Sequence, residues 1–167
     1  MAPRAQIVCV EGAAAIESLR VLLQEYWDSF GFTPCFQNFG EELAGLPGVY
    51  APPEGRLALA MVDGQPAGCI ALRRLDEGCA EVKRLYVRPA FRGIGLGRVL
   101  LEWVMAEARE AGYSEIVGDT MPVMREALAL YDRMGFERGE PYAAQPTEGA
   151  IFIRKRLGKR EPEAGSR

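Results

Sequence analysis

Apolar residues recur along the chain with two periods, one of two residues and one of three to four, and stretches rich in glycine, proline and charge separate the periodic segments. The alternating segments predict β-strands, and the segments with the longer period predict helices. Strands are predicted at 6–11, 56–63, 66–73, 79–88, 115–120, 136–142 and 150–157. Helices are predicted at 12–30, 38–46, 96–111 and 122–134. This order predicts an α/β (α+β) fold in which helices cover both faces of a mixed central sheet.

Two local signals sharpen the boundaries of these elements. Asp63 and Gly64 lie between two predicted strands, and this dipeptide is a strong signal for a two-residue hairpin loop. Pro122 suits the first turn of a helix, where its missing N–H has no partner to lose, so we expect the last helix to begin there.

The chain of 167 residues has room for one domain, since domains usually contain about 100–200 residues. We expect residues 1–157 to form that domain and the polar residues 158–167 to form a disordered tail. The longest apolar run, 57–62, is far shorter than the roughly 20 residues that span a bilayer, and no secretory signal is visible behind Met1. We therefore expect a cytoplasmic protein with no membrane partner.

Composition excludes several kinds of site. The chain has no histidine, which rules out nucleophile–histidine catalysis and histidine-containing metal sites. Its four cysteines include no C-x-x-C pair, so they favour small buried side chains over zinc or redox chemistry, and we expect no metal. The net charge of −3 argues against nucleic acid as a partner.

A glycine-rich turn between a predicted strand and a predicted helix carries the clearest chemical signal. Gly93, Gly95 and Gly97 stand at alternate positions and let a ligand approach the main chain. The helix that follows offers unpaired N–H groups and a partial positive charge, which together favour a phosphate. A P-loop is excluded because Arg98 and Val99 follow the last glycine, and the glycine spacing also differs from G-x-G-x-x-G.

Charge around this turn supports an anionic ligand. Residues 83–98 contain five basic side chains and no acidic one, in a chain whose net charge is −3. A local basic patch on an acidic protein suits a small polyanion better than a nucleic acid. A solvated, charged strand edge beside a glycine-rich turn is the alternative interpretation of the same residues.

The segment Arg92–Gly97 fits the Q/R-x-x-G-x-G/A signature and thereby resembles the GNAT superfamily of acetyl-CoA-dependent N-acyltransferases. The flanking segments 81–87 and 129–136 are also similar to that family. The similarity is strong over 79–136, reasonable from 56 to 157 and weak over the first 55 residues.

The resemblance implies a coenzyme site on these residues. Backbone N–H groups of the turn would hold the pyrophosphate of coenzyme A, and a strand edge would pair with its pantetheine arm where the strands 79–88 and 115–120 splay apart. The implied binding residues are Leu85, Tyr86, Val87, Arg92, Gly93, Ile94, Gly95, Leu96, Gly97 and Arg98. Family members often carry asparagine near the end of the second strand, where this chain has Asp119 and Thr120, so no role is carried over to that point.

The implied reaction is direct attack of an amine on the acetyl thioester in a ternary complex, which requires a proton acceptor for the amine. Glu81 is the candidate base, because strict alternation would place it on one face with Leu85 and Val87. A sheet-surface glutamate paired with Lys83 or Arg84 is the alternative reading, and Glu41 or Glu42 are further candidate bases.

Tyr131 is the candidate hydrogen-bond donor to the sulfur, because the resemblance places a tyrosine there. It also shares a helix face with apolar residues, so a core tyrosine is the alternative.

Aromatic residues are concentrated between 26 and 50, with acids interleaved, and favour an amine pocket. The candidate acceptor-binding residues are Tyr26, Phe30, Phe36 and Glu41, although aromatic packing of helices onto the sheet explains the pattern equally well. The expected acceptor is a small-molecule or amino-acid-like amine, with a protein lysine or N-terminus as the alternative. A coenzyme A-binding sensor without turnover is a second function, and a homodimer is an open alternative because dimers are common in the family.

Overall fold

The computed structural model describes residues 5–29, 39–122, 124–142 and 149–158. The strands are β1 (Ala5–Cys9), β2 (Arg56–Val62), β3 (Gln65–Asp76), β4 (Cys79–Val87), β5 (Glu115–Thr120), β6 (Glu137–Arg138) and β7 (Ile151–Arg156). The α-helices are α1 (Gly12–Asp28), α2 (Phe39–Ala44), α3 (Leu96–Glu110) and α4 (Arg125–Arg133), and short 3₁₀ turns lie at Gly48–Tyr50 and Pro89–Phe91.

The strands form one mixed sheet in the order β1-β2-β3-β4-β5-β7-β6. All neighbouring pairs are antiparallel except β4 and β5, which run parallel and are connected through α3. The predicted mixed sheet with helices on both faces is therefore confirmed. Within the described part of the chain, no helix is both long and apolar enough to cross a membrane.

Two apolar clusters cover the two faces of the sheet. One cluster joins α3 and α4 to the sheet through side chains such as Leu100, Val104 and Leu130. The other joins α1 to the opposite face through Leu19 and Leu23. Because apolar burial is the main favourable term in folding, these two clusters fix the sheet that carries the site.

The predicted hairpin is confirmed. Asp63 and Gly64 both have positive φ, 49° and 79°, and they separate Val62 of β2 from Gln65 of β3. Positive φ at both central residues is what a type I′ turn requires, and its twist matches that of the strands.

Three predicted boundaries differ from the structure by three residues or more. Strand β3 continues to Asp76, three residues beyond the predicted end at 73, because its ladder with β4 extends that far. Helix α4 begins at Arg125 and not at Pro122, because the Met124 N–H donates to the Met121 carbonyl in a turn that precedes the helix. Strand β6 contains only Glu137 and Arg138, because its ladder with β7 ends after two residue pairs.

The feature of the sheet that matters for function is where β4 and β5 separate. Only three residue pairs join them, and Glu81–Val117 is the last, although β4 continues to Val87 and β5 to Thr120. On its other side β4 contains a bulge, in which Arg84 and Leu85 stand opposite the single residue Ile70 of β3. The predicted separation of these two strands is therefore confirmed.

Arg84 links the bulge to α2 through buried polar contacts. Its φ is +60°, which is rare for a residue other than glycine. Its guanidinium donates two hydrogen bonds of 2.9 Å to the Glu42 carboxylate, which also accepts one of 2.8 Å from the Tyr50 hydroxyl. The Arg84 side chain is 7% exposed, so this bidentate pair is largely removed from water.

We predict that Glu42→Gln lowers the free energy of unfolding by about 2 kcal/mol at pH 7, because the variant removes the carboxylate charge that forms a bidentate pair with the buried Arg84 guanidinium. Burial alone would raise the pKa of the Glu42 carboxyl, but the hydrogen bonds and charge of Arg84 hold that pKa below its ordinary value of 4.5. A depressed pKa stabilises the fold above pH 4.5, and this contribution is lost as the pH falls through the folded-state value.

Urea unfolding at pH 7 and at decreasing pH measures both effects. The gap between wild type and Glu42→Gln should narrow below pH 4.5. Glu41→Gln is the matched control, because Glu41 neighbours Glu42 but is exposed, and it should unfold like the wild type. Equal stability of Glu42→Gln and wild type at pH 7 would contradict the stabilising role of the pair.

Candidate active site

A groove of about 910 Å³ runs along the free part of β4, the glycine-rich turn and the facing side of α4. Nine of the ten residues predicted to bind the coenzyme line it: Leu85, Tyr86, Val87, Arg92, Gly93, Gly95, Leu96, Gly97 and Arg98. Ile94 is not among the lining residues, and its side chain is 45% exposed. The groove is therefore lined by the backbone of a strand edge and of a helix N-terminus, on one side of the molecule.

The glycine turn leaves its main chain open to a ligand. Gly93 and Gly95 have φ values of 85° and 81°, in the left-handed region that favours glycine, and no atom lies within 4 Å of where a Cβ would stand. Gly95 is the N-cap of α3, and the first turn of a helix has N–H groups without intrahelical partners. These N–H groups and the helix dipole make the turn suitable for a phosphate.

Cations surround the groove. Among the described residues, four arginines line it, Arg92, Arg98, Arg125 and Arg133, and one acid, Glu126. The Arg92 Nε donates 2.9 Å to the Val87 carbonyl, which ties the turn to the end of β4. The charge balance of the groove is therefore positive in a chain of net charge −3, as a polyphosphate ligand requires.

We predict that Gly95→Val raises the dissociation constant of acetyl-CoA, the ligand that the sequence resemblance implies, by at least about tenfold, because a β-branched residue disfavours positive φ and its side chain would occupy the open face of the turn. Titration calorimetry measures the change. Gly112→Val is the matched control, because Gly112 has φ of 95° and equally open surroundings but lies beyond the C-terminal end of α3.

Both variants should lose similar stability, and only Gly95→Val should lose coenzyme affinity. Wild-type affinity in Gly95→Val would contradict a phosphate site at this turn.

A small cavity of about 30 Å³ lies beside the groove. The two share Tyr26, Leu85, Met124 and Ala127 in their linings. The polar residues of the cavity lie on the separated strands and the two flanking helices: Tyr26, Lys83, Arg84, Asp119, Thr120 and Tyr131. The cavity therefore occupies the space that opens where β4 and β5 part.

Tyr131 lies on α4, is 5% exposed and contributes to the lining of the cavity. Its ring packs edge-on against Phe136, with 5.1 Å between the ring centroids. Burial raises the pKa of the Tyr131 hydroxyl, and the nearby Tyr26 and Asp119 raise it further. The hydroxyl therefore stays protonated at neutral pH and can donate a hydrogen bond.

Two polar side chains at the end of β5 complete the cavity. The Thr120 hydroxyl is buried and has no hydrogen-bond partner among the described residues. Asp119 supplies the cavity's single carboxylate among the residues that the structure describes. Asp119 is exposed by surface area, but the protein atoms around its carboxyl partly desolvate it and raise its pKa; Glu81 adds to the rise, while Lys83 and Arg84 oppose it. A carboxylate with a raised pKa is a better proton acceptor.

The side chain of Glu81 lies on a different face of the sheet from the one predicted. The bulge at Arg84 inserts one residue, so Glu81 and Lys83 face the α1 side, whereas Leu85 and Val87 pack with α3 and α4 on the other. The prediction that Glu81 shares a face with Leu85 and Val87 is therefore wrong, because a bulge shifts the alternation of a strand.

The Glu81 carboxylate is held by two side chains. It accepts 2.6 Å from the Arg73 Nε and 2.5 Å from the Tyr142 hydroxyl, and the side chain is 4% exposed. Glu81 does not line the groove or the small cavity, both formed by described residues. Its role as the base stays a prediction.

The candidate acceptor-binding residues differ in whether they line the groove and the cavity. Tyr26 lines both the groove and the cavity, and burial raises the pKa of its hydroxyl to about 12. Glu41 is exposed and does not line either space within the described part of the chain. Phe30 and Phe36 lie outside the described residues.

A sequence model of the acetyltransferase (GNAT) family matches residues 16–136, most of the chain. The chain belongs to the GNAT acetyltransferase family. An uncharacterized N-acetyltransferase of Schizosaccharomyces pombe is 36% identical over 146 residues, which cover 86% of this chain and 90% of that protein.

Solved structures share the GNAT fold over nearly the whole chain. A GNAT-family acetyltransferase of Staphylococcus aureus superposes with a TM-score of 0.79 at 21% identity, covering 93% of this chain and all of that one. The PaiA N-acetyltransferase of Thermoplasma acidophilum, solved in complex with coenzyme A, gives 0.73 at 17% identity and covers 92% and 99% of the two chains.

In this GNAT acetyltransferase, sequence reasoning missed Lys83, Arg84, Asp119 and Thr120 as lining residues of the cavity. The sequence carried a signal for Asp119 and Thr120, because these residues end the second of the two strands that separate. The groove cations Arg125 and Arg133 were also missed, because helical periodicity does not show which neighbour a helix faces.

Proposed function

We propose that this enzyme transfers the acetyl group of acetyl-CoA to the primary amine of a small molecule, by direct attack in a ternary complex. The observation that carries the proposal is the junction of the groove and the cavity. A cationic groove with open backbone leads to a cavity that holds a protonated tyrosine and a carboxylate. These are the groups that amide formation from a thioester and an amine requires.

The residues present fit acetyl-CoA. The open N–H groups from Gly93 to Gly97 would hold its pyrophosphate, and the unpaired edge at Leu85–Val87 would pair with its pantetheine arm. The thioester supplies the activated acetyl group. The groove's positive charge and the fold of relatives solved with coenzyme A support this assignment.

Asp119 accepts a proton from the amine. An alkylammonium has a pKa near 10 by analogy with lysine, so at neutral pH the amine must lose a proton before it attacks. The new bond joins the amine nitrogen to the acetyl carbon, and the carbon–sulfur bond breaks. Two protons leave the ammonium overall, one to the base and one to the departing thiolate.

Tyr131 stabilises that thiolate. Tyr131 lines the cavity and burial keeps its hydroxyl protonated, so this hydroxyl would donate a hydrogen bond that strengthens as negative charge develops on sulfur. A backbone N–H of the unpaired stretch 85–87 would hold the oxyanion of the tetrahedral intermediate.

Release of free thiol from acetyl-CoA in the presence of amines tests the proposed function. We expect release to depend on the amine and on enzyme concentration, and a mass increase of one acetyl group on the amine. Acetyl-CoA binding without amine-dependent release across a broad panel would instead support the coenzyme A sensor.

We predict that Asp119→Asn lowers kcat by about 10²–10⁴-fold, because the amide cannot accept the proton, while the KM for acetyl-CoA changes little. Glu81→Gln is the matched comparison, since it makes the same chemical change on the neighbouring strand, outside the cavity lining. Steady-state kinetics of both variants separates the two candidate bases. A larger loss in Glu81→Gln than in Asp119→Asn would return the role to Glu81.

A further inference from the structure

The charges that surround the small cavity point to the class of acceptor. We infer that the acceptor carries a carboxylate beside its amino group, as a free amino acid does, and that Lys83 binds that carboxylate. The inference rests on the proposed acetyl transfer and adds to it the residue that selects the acceptor.

Most charges near the cavity are already neutralised by partners within the protein. Arg84 makes a bidentate pair with Glu42, and Glu81 pairs with Arg73. Glu81 is also 3.8 Å from the Lys83 ammonium, so this one carboxylate is shared by two cations, and among the described lining residues the charges of Lys83 and Asp119 are left over. One cation and one anion therefore remain to face whatever enters the cavity.

The Lys83 ammonium has unused hydrogen-bonding capacity. Its Nζ is 3.8 Å from the nearer Glu81 oxygen, which is too long for a hydrogen bond, and Glu81 already accepts from Arg73 and Tyr142. Within the described part of the chain, Lys83 donates no hydrogen bond, although its side chain is only 21% exposed. An ammonium with three donors and little solvent favours an anionic partner.

Lys83 and Asp119, both in the described part of the chain, do not form an ion pair with each other, although both line the cavity. A zwitterion satisfies both at once, with its ammonium at Asp119 and its carboxylate at Lys83. The buried Thr120 hydroxyl, which has no partner among the described residues, offers a neutral donor to the same ligand. A lysine side chain or a simple alkylamine would leave Lys83 with only the Glu81 carboxylate, which is 3.8 Å away and already accepts hydrogen bonds from Arg73 and Tyr142.

The test compares matched acceptors that differ only at the carboxylate. For several amino acids, kcat/KM is measured for the free acid, its amide and the decarboxylated amine. We expect the free acid to be preferred by at least about tenfold in the best series, since a site built to bind a charged group discriminates against analogues that lack it. Equal use of all three forms would overturn the inference.

The variant Lys83→Met tests whether Lys83 causes the preference for the free acid. It should raise the KM for the free acid by about 10–100-fold, the range expected from loss of a charged hydrogen bond, and leave the KM for the decarboxylated amine and for acetyl-CoA unchanged. Lys83→Arg should restore part of the preference. Arg74→Met is the matched control, because Arg74 is an exposed cation outside the lining of both spaces and should alter neither acceptor.

The outcomes separate this inference from the proposed function. Three outcomes would each overturn the role of Lys83 and leave acetyl transfer intact. The first is turnover of amines with no effect of the carboxylate, and the second is turnover only of peptide or protein amines. The third is an equal loss of activity for both acceptor forms in Lys83→Met. Absence of turnover with every amine in wild-type enzyme would overturn both.

Discussion

The active site depends on the loss of pairing between two parallel strands. Strands β4 and β5 are joined by three residue pairs and separate after Glu81 and Val117. Backbone groups beyond that point have no partner on the neighbouring strand, and buried unpaired backbone is unfavourable unless something else bonds to it. An extended ligand arm can supply those bonds, while the widening space between the strands admits its reactive end. The glycine turn, α3 and α4 then surround an opening that the sheet itself creates.

Ion pairs govern the chemistry on the acceptor side of this opening. Two ion pairs, the largely buried Arg84–Glu42 and the half-buried Arg73–Glu81, neutralise four charges at the bulge and its flanks. What remains is the Asp119 carboxylate, whose pKa is raised by desolvation, and the Lys83 ammonium, whose ion pair with Glu81 is long at 3.8 Å. Because Glu42 neutralises Arg84, the three charged residues among the described lining, Lys83, Arg84 and Asp119, present only two charges to a substrate. In the proposed mechanism, Asp119 accepts the proton and Lys83 selects the acceptor.

Local signals predicted much of the fold, because they depend on only a few neighbouring residues. The hairpin at Asp63-Gly64 and the open turn at Gly93 and Gly95 both require positive φ, and the sequence marks such positions directly. The bulge at Arg84 could not be predicted in this way, since it depends on the register between β3 and β4. It reversed the expected face of Leu85 relative to Glu81. The place of Asp119 in the cavity likewise depends on where β5 stops pairing with β4, which is a non-local property.

A crystal structure of the protein with coenzyme A tests the central claim most directly. The pyrophosphate should contact the backbone N–H groups between Gly93 and Gly97, the pantetheine arm should pair with the free edge of β4, and the sulfur should lie within hydrogen-bonding distance of the Tyr131 hydroxyl. Coenzyme A bound away from the glycine turn, or with its sulfur directed away from the space between β4 and β5, would contradict it.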